Sequence, residues 1–291
     1  MNIWLALKRR EGKRFPFKDA MMREPGYSQR KAVERIWDKM AQYMFLLSVY
    51  PLILYAVILQ ARVTHGAFSP VLIGLSVTSG AVVIGVGVFK IWRLLAASLC
   101  LRLGYAGEVA VGQALNQLML QGYHVFHDVP FDGFNVDHVV IGPGGVFVVE
   151  TKLRTKRTMA DRHTETHKVR FDGRALYFSD CPTVPQHRAL NQARAEAQTV
   201  AKWLTRKTGM PVATRAVLAL PGWWIDGDNQ QGEVWVYSHN QLYALPPKRD
   251  KPVMAAQQLR RCVAAVEERC ARDDLAPQVL LPKNNPLFQE S

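Results

Sequence analysis

Two long apolar segments without an acidic or basic side chain dominate the first third of the chain. They run from Met44 to Gln60 and from Gly66 to Phe89, and only the short connector 61–65 separates them. A stretch of about 20 apolar residues is long enough to cross a bilayer as a helix. The pair therefore predicts a transmembrane hairpin at residues 40–93, with helices at about 43–61 and 66–89.

The charges that flank the two spans predict their orientation. Residues 1–39 carry eleven Lys or Arg and five acids, whereas the connector carries only Arg62. Cytoplasmic segments are enriched in basic residues, and such segments also attract anionic lipid. We therefore expect a multi-pass protein of a bacterial-type inner (cytoplasmic) membrane. The basic N-terminal segment 1–39 and both termini then lie in the cytoplasm, and membrane lipid is a partner.

Three other structures are compatible with two apolar segments. A cleaved signal peptide is disfavoured because about 40 residues precede the first span. A buried hairpin of a soluble protein stays open, although Gly74, Gly80, Gly85 and Gly87 suit membrane helices better. A single span followed by a re-entrant segment fits least well.

The net charge of +13 divides into +6 for residues 1–39, +1 for Arg62 and +6 for residues 90–291. A net charge of +6 is small for a segment as long as 90–291, so it is compatible with nucleic-acid binding but does not require it. The four cysteines form no CxxC pair, which fits a reducing compartment and argues against a disulfide framework.

Residues 104–275 predict one α/β domain with a mixed sheet flanked by helices, followed by an irregular tail at 276–291. The predicted helices are Tyr105–Gln121, Pro185–Thr208 and Met254–Arg272. The predicted strands are Tyr123–Val129, Val136–Gly142, Gly145–Thr151, Lys168–Phe171, Arg174–Phe178, Val212–Leu220 and Glu233–Tyr237.

One predicted hairpin brings acidic residues together. Pro143-Gly144 separates two β-branched runs, and a loop of these two residues makes Asp137 face Glu150 across the strand pair. Facing residues have Cβ atoms about 5 Å apart. Side chains alternate along the second strand, so Lys152 lies on the same face of the sheet as Glu150. A three-residue loop would break this register, and the sequence leaves that alternative open.

Two carboxylates at this spacing repel each other unless a cation lies between them. Oxygen ligands of this kind suit Mg²⁺ or Mn²⁺, which can polarise a phosphodiester and lower the pKa of an attacking water. Lys152 would supply positive charge to the developing oxyanion or help to deprotonate the water. The alternative is a strand end whose charges are simply solvated.

Two further residues add to this hypothesis. Glu108 shares the predicted buried helix face of Val111 and Leu115, where a carboxylate needs a partner or a metal. Gln192 borders the apolar stripe of the long helix and could hydrogen-bond a water, a phosphate or a ligand carboxylate. In isolation, Glu108 also fits the common role of a helix-dipole Glu in the first turn, and an ordinary surface position is the favoured interpretation of Gln192.

The same residues carry a family resemblance. Gly107-Glu108, the run FNVDHVVIGPGGVFVVETK from Phe134 to Lys152, and Asn191-Gln192 resemble the nuclease-related domain (NERD) family of the PD-(D/E)xK nuclease superfamily. The resemblance covers roughly residues 105–220.

The resemblance implies a restriction-endonuclease-like αβββαβ core, a Mg²⁺ cofactor and phosphodiester hydrolysis. Glu108, Asp137 and Glu150 would then be metal-binding carboxylates, Lys152 the catalytic lysine and Gln192 an auxiliary catalytic residue. We therefore expect a membrane-anchored nuclease, with DNA as the favoured partner and substrate. A homodimer stays open. The alternatives are an inactive nucleic-acid-binding module and a structural partner domain in a membrane complex.

The sequence also contains a basic loop and an aromatic pair. Residues 153–168 are predicted to form a loop that contacts the phosphate backbone or is merely soluble. Trp223 and Trp224 could stack on bases, but packing at the sheet edge is the favoured interpretation. A zinc site built on His163 and His167 is disfavoured because the spacing fits no standard ligand set.

Overall fold

The computed structural model of the protein describes residues 23–65, 70–155, 167–246 and 252–271. Its helices are α1 Tyr27–His65, α2 Pro70–Asn116, α3 Arg188–Thr208 and α4 Ala256–Ala271, with 3-10 turns at Gln117–Gln121 and His239–Ala244. Its strands are β1 His124–Phe131, β2 Phe134–Gly142, β3 Gly145–Thr151, β4 Lys168–Phe171, β5 Leu176–Phe178, β6 Cys181–Gln186, β7 Thr214–Ala219, β8 Trp224–Asp226 and β9 Val234–Tyr237.

The first two helices are long, apolar and antiparallel. Both are long and apolar enough to span a membrane, and their most apolar windows are 0% and 11% buried. Tyr50 Oη donates a hydrogen bond of 2.6 Å to Ser79 Oγ, and Gly87 leaves room for Leu47 of the opposite helix. These contacts hold the two helices together where glycine and serine allow close approach.

Helix α2 differs from the predicted helix at Tyr105–Gln121. It runs unbroken from Pro70 to Asn116, so the second apolar span and the first helix of the following domain are one element. No proline interrupts residues 90–104, and most of them are good helix formers. The last five predicted residues form the 3-10 turn, which ends at Gly122 with φ 80°.

The central sheet is mixed, as predicted. Its strand order is β1-β2-β3-β7-β9, with the first two pairs antiparallel and the last two parallel. The pairing of Gly142 with Gly145, and of Val139 with Val148, confirms the two-residue loop and its register. Gly145 has φ 117°, a conformation that favours glycine.

The pairing of β1 with β2 is interrupted at one position. His127 pairs with His138 and Val129 with Val136, but Asp128 and Asp137 between them do not pair. Asp128 has φ 50°, an uncommon value for a residue other than glycine. The interruption frees both aspartates from the ladder at the end of the β2–β3 hairpin.

A second sheet, in the order β6-β5-β4-β8, was not predicted as a separate layer. The hairpin β4–β5 was predicted, and its turn is closed by Asp172 Oδ1, which accepts bonds from Arg174 N at 2.9 Å and Ala175 N at 2.7 Å. Strands β6 and β8 were missed. Strand β8 has only three residues, and β6 contains two prolines, so neither has the local pattern of a strand.

Helices cover both faces of the central sheet. One core cluster joins α3 and α4 to side chains such as Val148 and Leu218. The other joins α2, through Val111 and Leu115, to Phe147 and Val149. The end of the β2–β3 hairpin therefore lies where elements of both layers meet.

Candidate active site at the end of the hairpin

The end of β3 presents an acid and an amine on one face. Glu150 is only 2% exposed, and its Oε1 atom lies 2.5 Å from Lys152 Nζ. Burial acts to lower the pKa of Lys152, but the charge and hydrogen bond of Glu150 outweigh burial and raise it. Lys152 N also bonds to Ala219 O at 2.9 Å, which extends the β3–β7 pairing by one residue and fixes the position of the lysine.

Asp137 faces the same end of the hairpin but is held by the backbone. Its Oδ2 atom accepts a hydrogen bond of 2.8 Å from Thr151 N. Burial of the carboxyl group, followed by the charges of Glu150 and Glu108, raises the pKa of Asp137 well above its usual range. The predicted proximity of Asp137 and Glu150 is therefore present, with Thr151 N as the immediate partner of Asp137.

Glu108 comes from helix α2 and is buried, as predicted from its helical face. Its Oε1 atom accepts a hydrogen bond from Gln29 Nε2 of helix α1. Burial, and then the charges of Asp128 and Glu150, raise the pKa of Glu108 from 4.5 to about 8. Glu108 and the hairpin acids therefore lie close enough to repel one another.

Helix α3 contributes Gln192 and a residue that the sequence analysis missed, Glu196. Gln192 is exposed and donates a hydrogen bond of 2.8 Å to Glu196 Oε1. Burial, and then the charge and hydrogen bond of Glu150, raise the pKa of Glu196 from 4.5 to about 9. Gln192 thus reaches the acidic cluster through Glu196, and the i,i+4 spacing of these two residues was the sequence signal for this contact.

These residues form one group, which we call the acidic cluster: Glu108, Asp137, Glu150, Lys152 and Glu196. Within the described ranges, no three His, Cys, Asp or Glu side chains are arranged as they stand to hold a metal ion. Gln29, Thr151 N and Lys152 each engage one oxygen of a carboxylate in the cluster. The other oxygen of each of these carboxylates takes no part in these three contacts.

A chain of buried and partly buried hydrogen bonds ends at Thr151, next to the cluster. His127 Nε2 lies 3.0 Å from Asn116 Oδ1, His127 Nδ1 lies 2.9 Å from His138 Nδ1, and His138 Nε2 lies 3.3 Å from Thr151 Oγ1. The Asn116 oxygen can only accept, so a neutral His127 donates from Nε2 and accepts at Nδ1. His138 then donates from Nδ1 and accepts from the Thr151 hydroxyl.

Both histidines of this chain are neutral. Burial lowers the pKa of His127 to about 4. Burial, and then the charge of His127, lower the pKa of His138 well below its usual range. The sequence analysis did not select either residue. The chain ends on Thr151, whose backbone N–H holds Asp137.

The second sheet supports the residues that follow Lys152. Arg154 bonds to Asp180 at 3.0 Å and lies over the Phe178 ring. Trp223 is buried, in agreement with the packing role favoured from the sequence. Its Nε1 donates a hydrogen bond of 3.2 Å to Arg154 O. Its neighbour Trp224 is 60% exposed. Most of the predicted basic loop, residues 156–166, lies outside the described residues.

The comparison with protein families finds a match in this part of the chain to a family of the PD-(D/E)xK-like nuclease superfamily. Residues 103–221 match the model of NERD, the nuclease-related domain. The family resemblance expected from the sequence is therefore confirmed. No curated protein and no solved structure matched the chain.

Proposed function

We propose that this protein is a membrane-anchored, divalent-metal-dependent nuclease that hydrolyses phosphodiester bonds, with DNA as the favoured substrate. The observation that carries the proposal is the proximity of four charged groups at the end of one hairpin, where their charges act on one another. They are Glu108, Asp137, Glu150 and Lys152. These residues lie within a nuclease-related domain. Domains of this superfamily typically use divalent metals.

The acidic cluster fits a divalent cation in charge and in ligand type. Burial and mutual repulsion raise the pKa values of Glu108, Asp137 and Glu196. Glu196 is buried next to Glu150, whose charge acts on it. Hard cations such as Mg²⁺ or Mn²⁺ bind carboxylate oxygens and would offset this charge. We propose Glu108, Asp137 and Glu150 as the ligands.

The chemistry divides between the cation and the protein. A bound divalent cation supplies Lewis-acid polarisation of the phosphodiester and a lower pKa for water. Lys152, whose pKa is raised, remains protonated at neutral pH. It therefore places positive charge where negative charge develops in the transition state. Glu196 is protonated at neutral pH and hydrogen-bonds Glu150, while Gln192 donates to Glu196 Oε1.

The arrangement of elements supports a restriction-endonuclease-like core. Helix α2, strands β1, β2 and β3, helix α3 and strand β7 follow in the order αβββαβ, with β4, β5 and β6 of the second sheet inserted between β3 and α3. We propose that this core belongs to a domain at residues 104–275, preceded by a transmembrane hairpin at 40–93.

The long helices support a membrane position. Both expose large apolar side chains along the predicted spans, such as Phe45, Leu52 and Val86. We propose that the basic residues before the first span and after the second mark the cytoplasmic side. Glu108 follows Phe89 by 19 residues of continuous helix, or about 28 Å, so the site lies within roughly 30 Å of the cytoplasmic membrane surface.

The test is cleavage by the full-length protein in lipid nanodiscs. Plasmid, linear, branched and single-stranded DNA, together with RNA, are incubated with Mg²⁺, with Mn²⁺ or with EDTA. We expect metal-dependent cleavage that Asp137→Asn and Glu150→Gln abolish, while Gln113→Ala, an exposed glutamine on α2, leaves it unchanged. Equal cleavage by wild type and the acidic-site variants would show that the activity comes from a contaminant.

One observation favours a second function, nucleic-acid binding without cleavage. The carboxylates already have hydrogen-bond partners in the protein, and the described residues contain no preformed metal-binding group. This alternative predicts affinity that falls steeply with salt and is independent of Mg²⁺. The nanodisc experiment separates the two functions, because only a nuclease changes the length of its substrate.

A further inference from the structure

The first turns of helix α1 lie against the acidic cluster, although they are outside the family segment 103–221. Gln29 Nε2 donates a hydrogen bond to Glu108 Oε1, across 79 positions of sequence. Ser28 Oγ donates to Asp128 Oδ1, and Arg23 Nη1 lies 3.4 Å from Asp128 Oδ2. We call residues 23–36 the docking segment.

The contact between the docking segment and helix α2 is built for close approach. Gly26 has φ 71°, and a Cβ atom there would lie 2.5 Å from the Tyr105 ring. A Cβ atom at Gly104 would overlap the Gln29 side-chain amide, and one at Gly112 would overlap Pro25. Three glycines at one contact therefore allow the segment to reach Glu108.

Apolar packing fixes the same segment. Ala32 and Ile36 follow Gln29 at helical spacing and are fully or almost fully buried, whereas most of helix α1 beyond them is exposed. Asp128, at the interruption of the β1–β2 pairing, also accepts a bond of 3.0 Å from Asn135 Nδ2. The docking segment is thus joined to both α2 and the central sheet.

The Gln29 contact has a chemical consequence for Glu108. A buried carboxylate that is hydrogen-bonded through one oxygen has a restricted orientation and can present its other oxygen to a ligand. Partners of this kind orient metal-binding carboxylates, and their loss typically lowers metal affinity by about 10- to 100-fold. Gln29 is the side-chain donor that the structure gives to Glu108.

We propose that the docking segment completes the metal site, and that Gln29 is a positioning residue that orients Glu108 toward a divalent cation. The inference rests on the proposed function, since it assumes that Glu108 is a metal ligand. It adds that the site includes a residue from the helix that enters the membrane. The nuclease-related segment then depends on the N-terminal part of the chain for metal binding.

The experiment measures Mn²⁺ affinity of the full-length protein in nanodiscs by electron paramagnetic resonance of free Mn²⁺. The variants are Gln29→Met, Glu108→Gln and the double variant, with Gln113→Ala as the matched control. Methionine keeps the length of glutamine and removes the donor, and thermal unfolding verifies that each variant is folded. We expect Gln29→Met to weaken Mn²⁺ binding about 10- to 100-fold.

The double variant tests whether Gln29 acts through Glu108. We expect Gln29→Met to cause no further loss of affinity in the Glu108→Gln background, because the carboxylate that it positions is already gone. Unchanged affinity in Gln29→Met, or additive losses in the double variant, would overturn this inference and leave the proposed function intact. A wild-type protein that binds no Mn²⁺ would overturn both.

Discussion

Lys152 Nζ lies 2.5 Å from Glu150 Oε1, so the amine and the acid from one face of β3 form an ion pair at the mouth of the acidic cluster. Glu150 is buried, whereas the Lys152 side chain is 40% exposed to solvent. This pair predicts the effect of removing the amine.

We expect Lys152→Met to lower kcat for DNA cleavage by about 10²–10³-fold, the usual effect of removing one group that stabilises transition-state charge. Mn²⁺ affinity should change much less, because Lys152 is not a ligand. The measurement is steady-state cleavage at saturating metal. Lys202→Met, an exposed lysine on α3, is the control. Wild-type kcat in Lys152→Met would remove the lysine from the mechanism.

Glu196 predicts a pH-dependent cost to stability in the metal-free protein. Its pKa is raised to about 9, first by burial and then by Glu150. Above pH 4.5 the unfolded state loses this proton while the folded state keeps it, so stability falls as pH rises toward 9. Glu196→Gln removes this dependence and should stabilise the protein by an amount that grows with pH.

The measurement for Glu196→Gln is the unfolding temperature in EDTA at pH 5, 7 and 9, in one detergent. The difference between variant and wild type in the free energy of unfolding, obtained from these temperatures, should widen by at most about 1.4 kcal/mol per pH unit. This is the limit for one titrating group. The control is Glu267→Gln, an exposed glutamate on α4. A difference that is constant with pH would show that Glu196 ionises normally.

The histidine pair predicts the opposite pH response. His127 has a pKa lowered to about 4, so below pH 6.5 the unfolded state gains a proton that the folded state does not bind. The contribution of His127 to stability is complete above pH 6.5 and falls by about 3 kcal/mol as pH drops to 4.

Nuclear magnetic resonance of ¹⁵N-labelled histidine tests this chain directly. At pH 6 we expect His127 to be neutral with its proton on Nε2, and His138 to be neutral with its proton on Nδ1. His167, which is exposed, serves as the internal comparison. An imidazolium spectrum for His127 or His138 at pH 6 would contradict the hydrogen-bond chain.

A divalent cation should stabilise the folded protein, because it offsets the repulsion among the acids. At 100 times its Kd, a ligand that binds only the folded state adds about 2.7 kcal/mol, or roughly 5–10 °C in Tm. The shift should be larger at pH 8 than at pH 6, because protons on Glu108 compete with the metal. It should vanish in Glu150→Gln, and an equal shift in that variant would place the ion elsewhere.

The proposed topology is tested by labelling with a membrane-impermeant maleimide in intact spheroplasts. Thr64→Cys, in the connector between the spans, should be labelled from outside. Gln113→Cys, on the cytoplasmic part of α2, should react only after permeabilisation. The reverse pattern would invert the orientation, and labelling of both residues in intact cells would argue against a membrane hairpin.

The sequence by itself determined the elements whose signals are local. The apolar spans lie in α1 and α2, and the alternation around Pro143-Gly144 predicted the hairpin, whose two-residue loop and register the structure then confirmed. Helical spacing likewise predicted that Glu108 is buried. These features depend on neighbours a few positions apart, which a single sequence displays.

Only the tertiary structure decided which distant side chains meet. The bond between Gln29 and Glu108, the approach of Glu196 to Glu150 and the pairing of His127 with His138 each join separate elements. The second sheet also required β6 and β8, which have weak patterns of their own. Such contacts depend on how helices and sheets pack in three dimensions, and periodicity along the chain carries no record of that packing.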